Sequence, residues 1–520
     1  MPSIEPMRSL PFRLVVFVIF CFSLPGSTVA AAQGAGGLRA PLSTSGLQED
    51  VAVLRATFEQ LHPGLYRYNT KAEMDAAFDR LRNDFAQDRT LEQTFVRLSA
   101  FTAGIRCGHT FPNPSNQSQD VTAALLERRA TLPFLYRWIG RRMIVTRDLT
   151  PGHSLSAGSE VLAINAIPAA EVLNRLLPLV SADGANDAKR TALAQGRAEA
   201  FDAPDVYLPM IFPNWTSPFR IRSRSWHRNA ITTVQVAGLT PTERKSALAA
   251  VAPDVYGTAP FIKLRYLDDG AAVMTMPTWV MFHTKWDWKT WLNASLDEVI
   301  ERKAPALIVD LRGNAGGDDV GALILARLRS APEPDGAVAR LVRYRKVPPA
   351  LLPHLSTWDS SFKDWGAKAV ELPSPWPTAP PVPYFRQLTG QEQGLEEPRV
   401  PVRHFPGKVY VLTDASNSSA TFAFARMIQE EHLGVLVGEP TGGNKRGING
   451  GAFFFLTLPH SGIEIDLPLI GYFPAQPQRD EGLSPDVPVS PSQQDIGRDY
   501  DPVIARVERL IRTRCGVPSC

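Results

Sequence analysis

A strand-loop-helix pattern between Lys408 and Gly447 constrains the fold more than any other stretch. Residues from Val409 to Leu412 form a short apolar run that predicts a buried strand, and a polar turn follows it. From Ser419 onward, apolar residues recur at helical spacing. The pattern predicts a helix that begins at Ser419, with the unpaired N–H groups of its first turn beside the serine hydroxyl. Taken alone, a serine in such a turn is more often a helix cap than a nucleophile.

A second strand precedes a glycine-rich turn earlier in the chain. The segment Ala306 to Leu311 is continuously apolar, and the string from Asp310 to Gly317 reads DLRGNAGG. A Gly-Gly turn after a buried strand lets backbone N–H groups approach a ligand closely, as an oxyanion hole requires. Strands alternate with helices from residue 255 onward, and this alternation predicts an α/β core.

Composition excludes several classes of partner and cofactor. The chain of 520 residues is long enough for two or three domains, and its 55 basic and 52 acidic residues nearly balance. We therefore expect neither a nucleic acid nor an anionic membrane surface as a partner. No His-Glu-x-x-His motif, paired Cys-x-x-Cys motif or nucleotide-binding loop is present, so we expect no metal and no cofactor.

The N-terminus resembles a secretory signal, which we assign to residues 1–32. Arg8 and Arg13 precede an apolar run and then a segment of small residues. The run has about 11 residues, too few for a bilayer that needs about 20. We expect an exported protein, periplasmic or secreted, with no membrane span after cleavage. Whether Cys515 and Cys520 then form a disulfide is left open.

The remaining sequence divides into regions of different periodicity. Residues 40–112 predict an N-terminal helical domain, and residues 113–254 predict a β-rich region. Residues 255–510 form the α/β core, which carries a Pro-rich insertion at residues 347–406, and residues 511–520 form a tail. We expect the insertion to be a plain surface excursion, with a lid or an oligomer contact as the alternatives.

The N-terminal helical pattern ends in a loop that carries His109. Glycines at positions 104 and 108 break the periodicity around this histidine. Histidines at helix ends are more often structural than catalytic, and His62, before Pro63, is a second candidate that looks like a turn residue. Cys107 lies two residues before His109, so a Cys/His nucleophile is also considered.

Several motifs together resemble the tail-specific, or C-terminal-processing, serine protease family. They are Asp310–Gly317, Ser418-Ser419-Ala420, the Val437–Gly443 string VGEPTGG, the N-terminal Cys-Gly-His-Thr and the closing Gly482–Asp486 string GLSPD, in family order. The resemblance spans most of the mature chain. It implies an α/β fold with a crotonase-like (ClpP-like) ββα protease core.

A shorter stretch in the β-rich region resembles PDZ domains. The string from Ala157 to Pro168 reads AGSEVLAINAIP and precedes a short predicted helix. PDZ domains capture peptide ends by adding a strand to a sheet edge. The resemblance implies a PDZ-like domain within residues 113–254, with an ordinary β-rich module as the alternative.

Two catalytic schemes occur in the family that the motifs resemble. In one branch a lysine follows the nucleophilic serine, but counting from Ser419 leads to Asn444, with Lys445 displaced by one position. The other branch, which resembles the tricorn core, uses a distant histidine and a C-terminal glutamate. His109 and Glu481 match these residues, so we favour Ser419, His109 and Glu481 and keep Lys445 as an alternative base.

The resemblance implies an exported serine endopeptidase that acts on protein or peptide substrates through an acyl-enzyme on Ser419. His109 would be the base, and the backbone N–H groups of Gly316 and Ala420 would form the oxyanion hole. An inactive relative that binds a peptide or a lipophilic ligand is the alternative, and a Cys107 nucleophile is a remote third. Substrate identity, zymogen activation and homo-oligomer formation are left open.

Overall fold

A computed structural model describes most of the chain from residue 40 onward. The described residues are 40–126, 131–150, 152, 154–197, 202–249, 255, 257–329, 338–389 and 403–514. The expected signal at residues 1–32 and the cysteines Cys515 and Cys520 lie outside them. Among the helices within these ranges, none has the length and apolar character needed to cross a membrane.

The N-terminal region is helical, as its periodicity predicts. Its helices are α1 (Thr44–Leu61), α2 (Lys71–Asp84), α3 (Leu91–Ile105) and α4 (Gln119–Leu125). Reciprocal capping boxes begin α2 at Thr70 and α3 at Thr90, because each threonine side chain accepts from the third residue of its helix. Helix α3 ends at Ile105, its C-cap Arg106 has a left-handed φ of 63°, and the chain then turns into the loop that carries His109.

The next region forms an antiparallel sheet with short helices. The strands are β1 (Phe134–Ile139), β2 (Arg142–Asp148), β3 (Glu160–Ile164), β4 (Ile167–Pro168), β5 (Phe219–Arg224) and β6 (Ile231–Val236). Their order in the described chain is β1-β2-β3-β5-β6, with β4 paired to β3. The helices are α5 (Ala169–Leu176), α6 (Asp187–Leu193), α7 (Ala203–Ile211) and α8 (Pro241–Leu248).

The C-terminal half alternates strands and helices, which confirms an α/β architecture. Its first elements are β7 (Lys263–Tyr266), β8 (Ala272–Thr275), α9 (Trp288–Glu301), β9 (Ala306–Asp310), α10 (Gly321–Leu328), β10 (Val338–Val342), β11 (Leu355–Ser356), β12 (Ala369–Glu371) and β13 (Phe385–Gln387). The remaining elements are β14 (Lys408–Thr413), α11 (Ser419–Glu430), β15 (Val435–Gly438), β16 (Asn449–Thr457), β17 (Glu464–Pro474), β18 (Val487–Pro488), α12 (Gln493–Gly497) and α13 (Pro502–Arg514).

The central sheet of this half has the order β18-β15-β14-β9-β8-β7 in the described ranges. Strands β8, β9, β14, β15 and β18 run parallel, and β7 is antiparallel. All residues of β9 are buried, because helices α9, α10 and α11 cover one face of the sheet and α13 covers the other. Leu412 at the end of β14 pairs with Asp310 at the end of β9, so the turns after these strands lie side by side.

The described part of the Pro-rich insertion is built into a further sheet rather than being the plain surface excursion that the sequence predicts. Strands β11, β12 and β13 belong to the insertion and join the order β11-β16-β17-β10-β13-β12. The physical reason is burial, since Leu351, Leu355, Trp365 and Ala369 of the insertion pack into the main hydrophobic core. Proline content alone does not reveal these apolar anchors.

Two carboxyl groups near the start of β17 give the fold a pH-dependent stability. Burial raises the pKa of Glu464 to about 7, and the charge of Asp466 adds to this effect. Burial also raises the pKa of Asp466 to about 6, although the Asn113 and Asn116 amides donate to its carboxylate. Because both pKa values are higher in the folded state, this stabilisation is fully present below about pH 4 and is lost as pH rises from there to about 7.

We predict that Glu464→Gln increases the free energy of unfolding at pH 8 and changes it little at pH 4. The substitution removes the charge that the folded state must otherwise carry at pH 8. Urea denaturation at both pH values measures the effect, with the 80% exposed Glu371 changed to Gln as the matched control. An equal change at both pH values would contradict this explanation.

Candidate active site

Buried side-chain amides join the turns that follow β9 and β14. The Nδ2 atom of Asn417 donates to the carbonyl oxygens of Leu311 and Asn314, the latter at 3.0 Å. The Ser418 hydroxyl donates to the Ala315 carbonyl oxygen at 3.0 Å. Asn314 and Asn417 are both fully buried. These contacts hold the glycine-rich turn and the serine turn in one fixed arrangement.

Ser419 opens helix α11, as the periodicity predicts, and its backbone has an unusual conformation. Its φ of 53° lies in the left-handed region, which costs energy for a residue with a side chain. The residue is half-buried, and within the described ranges its hydroxyl has no hydrogen-bond partner. The strained turn therefore presents a free hydroxyl at the start of a helix.

The predicted oxyanion donors lie next to this serine. A Cβ atom added at Gly316 would lie 2.8 Å from the Ser419 Cβ atom and 3.1 Å from the Ala420 nitrogen. The Ala420 N–H belongs to the first turn of α11, where backbone donors have no partner inside the helix. The Gly316 N–H donates to the Asn314 side-chain oxygen at 2.9 Å. One of the two predicted donors is thus already engaged in this structure.

A buried lysine supports the serine turn from another part of the chain. Lys189 in α6 donates through Nζ to the Ser416 carbonyl oxygen at 2.8 Å and to the Ser418 hydroxyl at 3.1 Å. Its side chain is 6% exposed. No motif surrounds Lys189, and more than two hundred residues separate it from the serines, so no local sequence signal could have found it.

His109 lies in the loop after α3, and the charge of the same lysine acts on its imidazole. Its Nδ1 atom is buried and has no hydrogen-bond partner among the described residues. Burial lowers the pKa of His109, the charge of Asp183 opposes this, and the charge of Lys189 lowers it further. The imidazole is therefore neutral near pH 7, which is the form that can accept a proton.

Asp183 is the carboxylate whose charge acts on His109, and the sequence did not single it out. It is 1% exposed, and its Oδ1 atom accepts the Gly108 N–H at 3.0 Å. Burial raises its pKa, which the charges of His109, Arg67 and Lys189 oppose. Asp183 thus fixes the backbone just before His109 and supplies negative charge beside the imidazole.

Glu481, the predicted acid, has a different partner. Its carboxylate accepts from Lys445 Nζ at 3.1 Å and is 41% exposed, and its carbonyl oxygen accepts the Lys445 N–H at 2.9 Å. The described contacts join neither Glu481 to His109 nor Lys445 to Ser419. Asn444, where a lysine would stand in the other branch, donates to the Asp183 carbonyl oxygen at 3.1 Å and to Asp480 at 2.7 Å.

The other two candidates, His62 and Cys107, are buried and have structural rather than catalytic contacts. Burial lowers the pKa of His62 to about 3, and its Nε2 atom lies 2.8 Å from the Thr110 hydroxyl. Burial raises the pKa of Cys107 to about 11, and the Asn449 amide donates to its sulfur at 3.2 Å. A thiol that stays protonated near neutral pH is a poor nucleophile, so this buried environment disfavours Cys107 as the nucleophile.

A charged cavity of about 260 Å³ lies at the ends of the central strands. Its lining includes Arg137, which pairs with Glu439 at 2.6 Å, and Arg312, which pairs with Asp310 at 2.7 Å. Each of these charged side chains is thus paired with an opposite charge of the protein itself. Across the described ranges, no cluster of three or more His, Cys, Asp or Glu side chains has the geometry of a metal site.

Comparisons with known proteins give a family match and a shared fold. Residues 270–489 match the model of Peptidase family S41, while no curated protein sequence matches the chain. The structure resembles mature CPAF complexed with lactacystin at 14% identity and a TM-score of 0.58, covering 91% of this chain and 98% of that one. A second structure of mature CPAF gives 15% identity, a TM-score of 0.55 and coverages of 91% and 97%.

A photosystem II D1 C-terminal processing protease also matches, at 13% identity and a TM-score of 0.39, covering 87% of this chain and 97% of that one. The identities to CPAF establish a shared fold only. The family match indicates a serine peptidase. Residues 270–489, less than half of the chain, match peptidase family S41, and this match supports a relationship to the tail-specific proteases.

We predict that Gly316→Ala destabilises the fold more than Gly313→Ala. Both glycines have positive φ, but a methyl group at Gly316 would lie 2.8 Å from the Ser418 carbonyl oxygen, whereas Gly313 has open space. Because overpacking adds to backbone strain, we expect Gly316→Ala to lose about 1–3 kcal/mol more of the free energy of unfolding. Urea denaturation measures both variants, and equal losses would show that the turn can shift at little cost.

Proposed function

We propose that the protein is an exported serine endopeptidase that hydrolyses peptide bonds of protein or peptide substrates through an acyl-enzyme on Ser419. The observation that carries this proposal is the free Ser419 hydroxyl, held in a left-handed turn at the start of α11 beside Gly316. Such a turn lifts a side chain away from the sheet, and the helix N-terminus favours negative charge beside it.

His109 is the proposed general base. Its lowered pKa keeps the imidazole neutral, so it can take the Ser419 proton as the hydroxyl attacks the substrate carbonyl. The same proton then goes to the leaving amine, and water repeats the sequence to release the acyl group. The unpartnered Nδ1 atom fits a site that tightens when substrate binds, because catalytic hydrogen bonds are often long in the free enzyme.

The Ala420 and Gly316 N–H groups are the proposed oxyanion donors. In comparable sites one donor contributes about 3 to 4 kcal/mol of transition-state stabilisation. Since the Gly316 N–H donates to Asn314 in this structure, it must share or exchange that bond as the oxyanion forms. The Ala420 N–H needs no such exchange.

Asp183 is the acid that we propose to stabilise the imidazolium, with Glu481 as the alternative that the sequence indicates. Asp183 is buried next to the His109 backbone and its charge acts on the imidazole, whereas Glu481 is partly exposed and paired with Lys445. A buried charge is screened less by solvent than an exposed one.

Three finer features belong to the same proposal. The parallel central sheet with helices on both faces supports a crotonase-like core. The antiparallel sheet with α5 after β4 supports a PDZ-like peptide-binding domain. Export to the periplasm or the medium rests on the basic and apolar pattern of residues 1–32.

We predict that a fluorophosphonate probe labels Ser419, because the probe reacts with serines activated by a neighbouring base. Ser419→Ala should abolish labelling, as measured by intact mass and peptide mapping. Ser418→Ala is the matched control and should still be labelled, since the Ser418 hydroxyl is bonded to Ala315 and Lys189 instead.

The same experiment tests the inactive alternative. A relative that only binds a peptide or a lipophilic ligand would leave the natural protein unlabelled at every serine. Labelling that persists in Ser419→Ala would show that the nucleophile is another residue.

We predict different pH profiles for Asp183→Asn and Glu481→Gln. Asp183→Asn keeps an oxygen for the Gly108 N–H but removes a charge that raises the pKa of His109. The acid limb of kcat/KM should therefore move to lower pH, and the plateau should fall about 10²- to 10⁴-fold. Glu481→Gln should leave the acid limb in place.

Comparing the two variants shows which acid, Asp183 or Glu481, acts on His109. If Glu481→Gln shifts the limb and Asp183→Asn does not, the glutamate indicated by the sequence orients His109. Circular dichroism on both variants verifies that each is folded before the profiles are compared.

A further inference from the structure

Strand β16 presents aromatic side chains on its outer face. Phe453 and Phe455 are half-buried, while Ala452, Phe454 and Leu456 point into the main core. This follows from the two-residue period of a strand, which places alternate side chains on opposite faces. The sequence run from Phe453 to Phe455 thus supplies both a core residue and an external apolar surface.

Trp358 of the insertion extends this surface. Its side chain is 61% exposed, and its ring centroid lies 5.9 Å from those of both Phe453 and Phe455. Phe362 packs edge-on against it at 5.5 Å. We refer to Trp358, Phe453 and Phe455 as the aromatic array.

Main-chain pairing fixes the array in position. Strand β11 pairs with β16 through Ser356 and Phe455, and the Thr357 hydroxyl donates to the Phe453 carbonyl oxygen at 2.9 Å. Trp358 follows these anchored residues directly. The pairing of β11 with β16 and the Thr357 hydrogen bond therefore keep Trp358 in its exposed position.

The array borders the proposed general base, His109. The His109 ring lies 5.9 Å from the Phe453 ring, so an apolar surface runs from the proposed base outward to Trp358. Exposing a tryptophan beside two phenylalanines is unfavourable in water, and such patches commonly mark binding sites. An aromatic or large aliphatic side chain that lay across the array would remove this apolar area from water.

We propose that the aromatic array is a substrate subsite that takes an aromatic or large aliphatic side chain of the peptide, close to the scissile bond. The inference rests on the proposed peptidase function and adds the class of residue that the enzyme selects. The proposed occupant is an apolar side chain because Trp358, Phe453 and Phe455 offer ring surface to it, and the adjoining His109 is neutral near pH 7.

The test compares cleavage of peptides that differ at one position. A peptide set with Phe or Ala at each position flanking the cleaved bond is hydrolysed by the natural protein and by Trp358→Ala. We expect the natural protein to prefer Phe at one flanking position. Trp358→Ala should lower kcat/KM about tenfold for the Phe peptide and leave the Ala peptide unchanged, because only the larger side chain loses a contact.

Control variants separate a lost subsite from a disturbed fold. Trp358→Phe keeps a ring in the array and should restore most of the Phe preference. Tyr500→Ala removes another exposed aromatic side chain, 51% exposed and outside the array, and should not change the preference.

The outcomes distinguish this inference from the proposed function. If Ser419 of Trp358→Ala is labelled normally and the ratio of kcat/KM for Phe and Ala peptides equals that of the natural protein, the subsite is wrong and the peptidase stands. If the natural protein neither hydrolyses peptides nor labels at Ser419, the proposed function and the subsite both fail.

Discussion

The buried amide contacts between the turns after β9 and β14 are the interaction on which the rest of the site depends. Parallel pairing of these strands brings the turns together, and the Asn417 side chain then bonds to carbonyl oxygens of the opposite turn. Removing one partner would leave buried carbonyl groups unsatisfied, at a cost of about 1–3 kcal/mol each. The strained φ of Ser419 persists because both sides of its turn are fixed in this way.

Side chains from the N-terminal half bind both the serine turn and the neighbouring loop at Thr441 and Gly443. Lys189 reaches the serine turn directly, and the Asn186 side chain donates to the Thr441 and Gly443 carbonyl oxygens at 2.9 and 2.7 Å. Asn444 then bonds to the Asp183 backbone, next to the loop of His109. The proposed nucleophile and the proposed base thus come from distant parts of the chain, and buried polar contacts join the segments that carry them.

Local patterns predicted those parts of the site that local structure determines. The helix start at Ser419 and the strand before Gly316 follow from residues close in sequence to the position concerned. Asp183 and Lys189 could not be found in this way, because their importance comes from burial against residues far along the chain. The strands of the Pro-rich insertion were missed for a related reason, since pairing partners such as β16 lie about a hundred residues away.

The most direct test of the central claim is a crystal structure of the protein after reaction with a phosphonate, which mimics the tetrahedral intermediate. We predict phosphorus bonded to Ser419 Oγ, a phosphonyl oxygen within about 3 Å of the Ala420 nitrogen, and a His109 ring nitrogen within hydrogen-bond reach of the Ser419 oxygen. A phosphonyl oxygen turned away from Ala420, or a His109 ring that stays out of reach of Ser419, would contradict the proposed catalytic arrangement.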